Sequence, residues 1–301
     1  MRAQSIIRRM QIRADKEASR AASRARNREV WNRWAGVNYA SEFYDVDGFV
    51  TGWRQGANPR RQHFDALEAD LLGDVAGQTL LHLQCHFGMD TLTQARRGAR
   101  VTGVDYSSEA VDRARELAQR LAVTEARFLC SDLYELPGVL DETFDVVFTS
   151  IGVLSWLDDL EGWARVVHDH LSPGGRFVLL ESHPLVWIFD DEVEERRLDV
   201  RYDYFERSEP LQLEQEGVYS DPSAVEPSVT FEWAHSLSEI VRALLGAGLI
   251  LDSLEEYAEI AWPLFPWMEK TDGGSWRLPD GFPTLPLMFS IAAHRPGAAT
   301  P

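Results

Sequence analysis

Residues 79–107, TLLHLQCHFGMDTLTQARRGARVTGVDYS, constrain the fold more than any other stretch of the chain. The apolar run 79–83 predicts a strand, and residues 84–88 predict a turn. Residues 90–97 carry Leu92 and Ala95 at helical spacing, with Gly98 where a helix C-cap favours glycine. A second strand, 100–104, ends on Asp105. Strand, turn, helix and strand in this order predict the first half of a nucleotide-binding α/β sheet. In such a unit the turn's N–H groups and the helix N-terminus meet a polar ligand at the carboxyl ends of the strands. A carboxylate at Asp105 can accept both hydroxyls of a ribose there.

The unit resembles motif I and the following acidic motif of class I S-adenosylmethionine (SAM) dependent methyltransferases. Members commonly read as an acidic residue, an apolar one and then Gly-x-Gly-x-Gly. Here His82 replaces the acid, Gln84 the first glycine and His86 the second, and Gly88 alone survives. The run LHLQCHFG…D…L…A…GA.V.GVD.S is similar to that of a bacterial subfamily of small-molecule methyltransferases, and the resemblance extends over roughly residues 30–295. It implies a Rossmann-like α/β fold with a seven-stranded sheet, order 3-2-1-4-5-7-6 and strand seven antiparallel, and SAM as cofactor. It also implies that Asp105, with Tyr106 beside it, holds the ribose, and that Gln84, His86 and Gly88 hold the methionyl end. Asp132 would accept from the adenine amino group, and the Leu133 backbone would meet a ring nitrogen. Residues 150–156, beginning with Ser150, would lie beside the transferable methyl.

A chain of 301 residues can bury one large core, or a core with an added lid. A hydrophobic content of 45 % excludes a disordered chain. The formal net charge is -18, and the body of the chain shows no basic stripe, which argues against a nucleic-acid partner. A neutral or cationic small molecule is the easier ligand to attract. No apolar run approaches the ~20 residues that cross a membrane. Cys85 and Cys130, both at predicted strand ends, are expected to be buried free thiols; they form neither a disulfide framework nor a zinc site, which fits a reducing cytoplasm. No metal site is expected, and a homodimer stays open.

The chain divides into five segments. Residues 1–28 are Arg-rich, with Asp15 and Glu17 as the only acids; they read as a solvated N-terminal helix, with a transit peptide or a start at Met10 as alternatives. Residues 29–75 form an aromatic lid and a helix. Trp31, Trp34, Tyr39, Phe43, Tyr44, Phe49 and Trp53 precede a helix over 59–72, beginning at Pro59, with Phe64, Leu67, Leu71 and Leu72 on one stripe. The face of an aromatic ring attracts a sulfonium, and Tyr44 is the ring expected at the cofactor. Residues 76–183 are the cofactor-binding core: strands over 126–130, 144–149 and 176–181, a helix over 110–121 capped by Ser107, and a helix over 158–171 closed by a Ser172-Pro173-Gly174-Gly175 turn. Residues 184–230 are a substrate cap with an acidic cluster at 190–195, Tyr202, Tyr204, Phe205 and Pro210, Pro222 and Pro227; a strand over 229–233 ends it. Residues 231–301 return to the core through a capping box, Ser236-Leu237-Ser238-Glu239, a helix to Leu245, a strand over 249–257, a Pro/Trp-rich loop over 262–286 and a last strand over 287–293.

Methyl transfer from a sulfonium is an in-line displacement, so the protein mainly positions the partners and removes a proton where one must leave. Imidazole titrates near neutrality and suits that task. His183, at the end of the fifth strand, is the foremost candidate base, followed by His86 and His235. Trp156 and His183 are the candidate substrate contacts. A NAD-dependent oxidoreductase would also use an acid after strand two, but wants G-x-G-x-x-G, which residues 84–88 do not supply. A non-catalytic SAM- or metabolite-binding subunit is a second alternative, separable by turnover. A nucleic-acid methyltransferase conflicts with the acidic body and with strand four, which lacks an Asn/Asp-Pro-Pro-Tyr signature. The sequence therefore reads as a cytoplasmic, bacterial SAM-dependent methyltransferase moving a methyl group to an N or O atom of a biosynthetic or secondary metabolite.

Overall fold

The computed structural model describes residues 2–56, 62–190, 193–205, 209–221, 223–224 and 227–297. Pro59, Pro222 and residues 191–192 of the acidic cluster lie outside the described residues, as do the side chains of Phe64 and of residues 2–18.

The apolar strands β1 (Thr79–Leu83), β2 (Arg100–Asp105), β3 (Arg127–Cys130) and β4 (Phe144–Thr149) pair in parallel. With β5 (Leu171–Ser182), β8 (Ile250–Tyr257) and β12 (Met288–His294) they build one seven-stranded sheet of order β3-β2-β1-β4-β5-β12-β8. β12 runs antiparallel to both its neighbours, with Phe289 opposite Glu181 and Glu256. The expected fold and strand order are thus the observed ones. The remaining strands are short: β6 (Leu211–Gln215) and β7 (Ser228–Glu232) pair antiparallel, and β9 (Glu259–Ile260), β10 (Glu269–Lys270) and β11 (Trp276–Arg277) form a small sheet, of which β10 and β11 lie inside the stretch expected to be loop.

Helices α1 (Arg2–Ala40), α2 (Val46–Gln55), α3 (Gln62–Leu72), α4 (Met89–Arg96), α5 (Ser108–Arg120), α6 (Leu160–His170) and α7 (Leu237–Gly246) cover the sheet. Leu81, Val147, Phe177 and Ile291 pack with Trp163 of α6 and Leu244 of α7 in one core cluster. Phe87, Leu92, Leu117 and Phe128 pack with Val50 of α2 in another. Burying strands on both faces in this way explains their near-continuous apolar runs. The helix starts expected from sequence are made by side chains: Ser107 Oγ accepts the Ala110 N–H at 3.1 Å, and Ser236 and Glu239 form a reciprocal capping box.

Three expectations are corrected. The Ser172-Pro173-Gly174-Gly175 turn lies within β5, which begins at Leu171, rather than ahead of it. Phe144 pairs with Leu171 and Val146 with Arg176, so the extra residues bulge outward. Gly174, at φ 81°, turns the chain there, and its N–H donates to the Arg295 carbonyl while Arg295 N–H donates to Gly175. α1 runs across residue 28 without a break, and its turns just before residue 28 are partly packed rather than solvated, with Ser23 and Asn27 buried. Cys85 is buried but Cys130 is exposed; both are free thiols.

α1 is stitched to the β6–β7 hairpin. Asn27 Nδ2 donates to the Phe231 carbonyl at 2.6 Å, and its Oδ1 accepts the Phe231 N–H at 2.9 Å. One amide side chain thus satisfies a backbone pair at the free edge of β7. Seven residues further along α1, Trp34 Nε1 donates to Ser228 Oγ. No helix among the described residues is long and apolar enough to cross a membrane.

Candidate active site

The carboxyl ends of β1, β2, β4 and β5 open on a cavity of about 1020 Å³, roofed by α1 and the β6–β7 hairpin. The position is the one where open α/β sheets bind ligands.

The turn after β1 takes a backbone conformation that favours glycine at alternate residues. Gln84 has φ 55°, His86 φ 51° and Gly88 φ 76°. These are the three positions at which the resembling motif carries glycine. A non-glycine residue held there costs roughly 1–2 kcal/mol. The turn is fixed by four bonds that offset this strain. Cys85 N–H donates to Val104, Gly88 N–H to Cys85, His86 N–H to Asp105 Oδ2 at 2.8 Å, and Gln84 Nε2 to the Val153 carbonyl at 3.3 Å. Gly88 has no substitute, because a Cβ there would stand 2.6 Å from Phe128 Cε1 and 3.1 Å from Ala114.

Asp105 closes the turn from β2. Its Oδ2 accepts the His86 N–H, and its Oδ1 accepts the Ser107 N–H at 2.9 Å. Burial pushes its carboxyl up to about 6, and the Ser107, His86 and Tyr106 N–H groups oppose that rise. Asp105 and Tyr106 both lie on the cavity wall. So do Asp132 and Leu133; Asp132 Oδ1 accepts the Tyr134 N–H and caps the 3-10 turn Leu133–Gly138. Tyr44 reaches the wall from the segment between α1 and α2, its ring 4.7 Å from Phe87 and 5.5 Å from His86, and its hydroxyl bonds that of Tyr219. Trp156 lines the wall with its ring edge-on to Trp31 at 5.2 Å.

Two of the expected residues stand elsewhere. Ser150 lies off the wall, its hydroxyl 2.9 Å from His82 Nε2. His82, in place of the motif's acid, is fully buried between Ser150 and Thr91, and burial lowers its pKa to about 4. It joins β1, α4 and the end of β4 as a neutral ring. His183 also lies off the wall. Its Nδ1 accepts the Leu185 N–H, so Nε2 carries the proton and meets Glu256 Oε1 of β8 at 2.9 Å. The ring packs edge-on to Phe289 of β12, on the side of the sheet's antiparallel strands. The physical reason is the chain's course: His183 N–H is held by the Leu287 carbonyl, which fixes the residue toward β12 as Ser182 faces the cavity.

His86 and His235 do stand on the wall. His86 Nε2 is 3.4 Å from Asn38 Nδ2. His235 Nε2 donates to the Leu157 carbonyl at 2.7 Å.

Sequence reasoning missed Glu181 and Asn38. Glu181 is buried on the cavity wall, and its carboxylate accepts four backbone N–H groups: Gly152 and Ser182 at Oε1, Val153 and Leu154 at Oε2. Burial raises its pKa against the pull of those donors. The signal was a lone acid closing the apolar run FVLLES, since a buried carboxylate must find donors. Asn38, fully buried in α1, donates to Tyr219 and accepts from Ser220 Oγ, and no local pattern marks such a contact across 182 residues.

Residues 81–179 match a family model described as a methyltransferase domain. The chain is 32 % identical over 148 residues to a demethylmenaquinone methyltransferase of Tropheryma whipplei (strain Twist), an overlap of 49 % of this chain and 58 % of that protein. The chain therefore spans little more than half of that relative's length. A ubiquinone biosynthesis O-methyltransferase of Alkalilimnicola ehrlichii is 28 % identical over 209 residues, 69 % of this chain and 77 % of that protein. A solved S-adenosylmethionine dependent methyltransferase from Mesorhizobium loti shares the fold, with a TM-score of 0.52 at 22 % identity over 78 % of this chain and 98 % of that one.

Proposed function

We propose that the chain is a SAM-dependent methyltransferase of the cytoplasm that methylates an N or O atom of a small biosynthetic or secondary metabolite. The observation that carries this reading is the Asp105-closed turn on the cavity wall, inside the stretch that matches a methyltransferase domain. The residues present fit the cofactor. Gln84, His86 and Gly88 line the wall around the turn that would hold the methionyl end. Asp105 retains acceptor capacity for ribose hydroxyls, and Asp132 with Leu133 stands at the adenine position. When bound, the cofactor supplies a methyl group activated by a sulfonium. The rings of Tyr44 and Trp156 exclude water and favour the cation. His235, one of the two candidate histidines on the wall, is the residue for removing a proton from the acceptor, and His86 completes the cofactor turn.

Calorimetric titration with SAM, S-adenosylhomocysteine and NAD tests this directly. Micromolar binding of both adenosyl ligands, with none of NAD, is expected. Binding of NAD alone would replace the reading with a nicotinamide enzyme, and adenosyl binding without turnover across an acceptor screen would favour a binding subunit.

A further inference from the structure

The buried carboxylate of Glu181 takes no part in the methyl transfer proposed above, yet it holds one loop of the cavity in place. Gly152, at φ 87°, is followed by Val153 at φ -115° and ψ -31°. Two residues of opposite hand turn three successive N–H groups, those of Gly152, Val153 and Leu154, toward one point. Concavities of this kind bind anions, and here the anion is the chain's own. Glu181 Oε1 accepts Gly152 and Oε2 accepts Val153, both at 2.7 Å, and Oε2 also accepts Leu154 at 3.1 Å. Oε1 takes the Ser182 N–H as well, at 2.7 Å. Among the described residues no cation pairs with Glu181, so backbone dipoles alone meet its charge. Four N–H groups need four acceptor sites, which two carboxylate oxygens supply and an amide side chain does not.

The loop held in this way touches three parts of the cavity. The Val153 carbonyl accepts Gln84 Nε2, from the turn after β1, at 3.3 Å. The ring of Trp156 packs edge-on to Trp31 of the roof helix α1. The Ser155 carbonyl accepts the Trp233 N–H, just past β7. Resting on the methyltransferase reading above, we infer that Glu181 is a positioning residue for the cofactor: it fixes residues 152–154, and through the Val153 carbonyl it holds the Gln84 side chain of the cofactor turn. Gln84 lines the cavity at φ 55°, one of the strained positions of that turn. Its bond to Val153 can steady the turn only if Val153 is itself immobile, and the Glu181 carboxylate makes it so. A turn and loop ordered before the ligand arrives lose little freedom on binding, and affinity rises accordingly. Apolar packing usually serves a core as well as a buried charge does, so a carboxylate spent on three loop residues points to placement rather than to packing.

The test is calorimetric titration of the full chain with S-adenosylhomocysteine across a double-mutant cycle. Glu181→Gln removes two of the four acceptor sites, and Gln84→Met keeps the length of the side chain but loses its donor. Gln84→Met is expected to weaken binding about three- to tenfold and Glu181→Gln about tenfold or more, with the double variant no weaker than Glu181→Gln alone. Urea unfolding of each variant separates placement from stability, because a carboxylate that only stabilises the fold lowers the midpoint and leaves the affinity of the folded protein unchanged. Where Glu181→Gln does not fold, Glu181→Asp takes its place. It keeps the charge but draws it back from the loop by one methylene, and the same non-additivity is expected. Wild-type affinity in a folded Glu181 variant, wild-type affinity in Gln84→Met, or effects at the two positions that multiply overturns the inference with the cofactor reading intact. Failure of S-adenosylhomocysteine to bind the wild-type chain overturns the function on which the inference rests.

Discussion

The Asp105 carboxylate accepts the backbone N–H of His86 at 2.8 Å, tying the end of β2 to a turn in which Gln84 and His86 hold a backbone conformation favoured by glycine. The strained shape is thus kept by a hydrogen bond from the residue expected to hold the ribose. Under the proposed reading one group has two tasks, shaping the turn and binding the ligand, and strain of this kind is found at functional sites.

Asp105→Ala should weaken S-adenosylhomocysteine binding by roughly 1.5–3 kcal/mol, the range for a hydrogen bond to a charged group, or about 10- to 150-fold. Calorimetry on a variant shown by circular dichroism to be folded checks this. Wild-type affinity would remove Asp105 from the ligand site.

The Asp105 carboxyl, pushed up to about 6 by burial, also sets a pH dependence. Cofactor affinity should fall as pH drops through about 6, because protonation removes an acceptor. The group's share of folding stability has the opposite sign. The folded state holds the proton more tightly than the unfolded chain, whose value is near 3.8, so this share is full below that value and lost as pH rises through about 6. Titrations with S-adenosylhomocysteine from pH 5 to 8 should show a midpoint near 6 that Asp105→Ala abolishes; a midpoint retained in the variant would assign it to another group.

Glu181→Ala should cost on the order of 3 kcal/mol of stability or more. It leaves the N–H groups of Gly152, Val153, Leu154 and Ser182 without their acceptor, at about 1–3 kcal/mol for each one left unsatisfied. Urea unfolding measures the loss. A change below about 1 kcal/mol would mean that water replaces the carboxylate.

His183→Ala should leave turnover per folded molecule within about twofold of wild type, because the ring serves the Leu185 N–H and Glu256 rather than the cavity. His235→Ala should lower kcat by about 10²-fold or more while sparing cofactor affinity, as loss of a general base does. The comparison is decisive in kcat at saturating acceptor; the reverse ranking would return the base to His183.

The glycine turn, its flanking strands and the helix caps were legible in the sequence because each is written locally: an apolar run, a turn ending on Gly88, a serine ahead of a helical stripe. The seven-stranded order was implied only by the resemblance to class I methyltransferases. Asp105 and Asp132 were likewise placed on the cavity wall by position, since strand ends of this fold converge on one edge, and Tyr44 by the aromatic density of its segment. What the sequence could not decide was the direction of side chains just beyond a strand's end. His183 and Ser182 are neighbours, yet one turns to β8 and β12 and the other to the cavity, because a backbone bond from Leu287 holds His183 on the far side. Ser150 was claimed by His82 of the neighbouring strand, and α1 became the roof through Asn27, whose partner Phe231 is 204 residues away. Periodicity records which face of an element is apolar, whereas pairings over such separations exist only once the sheet has closed and brought the partners within hydrogen-bond reach.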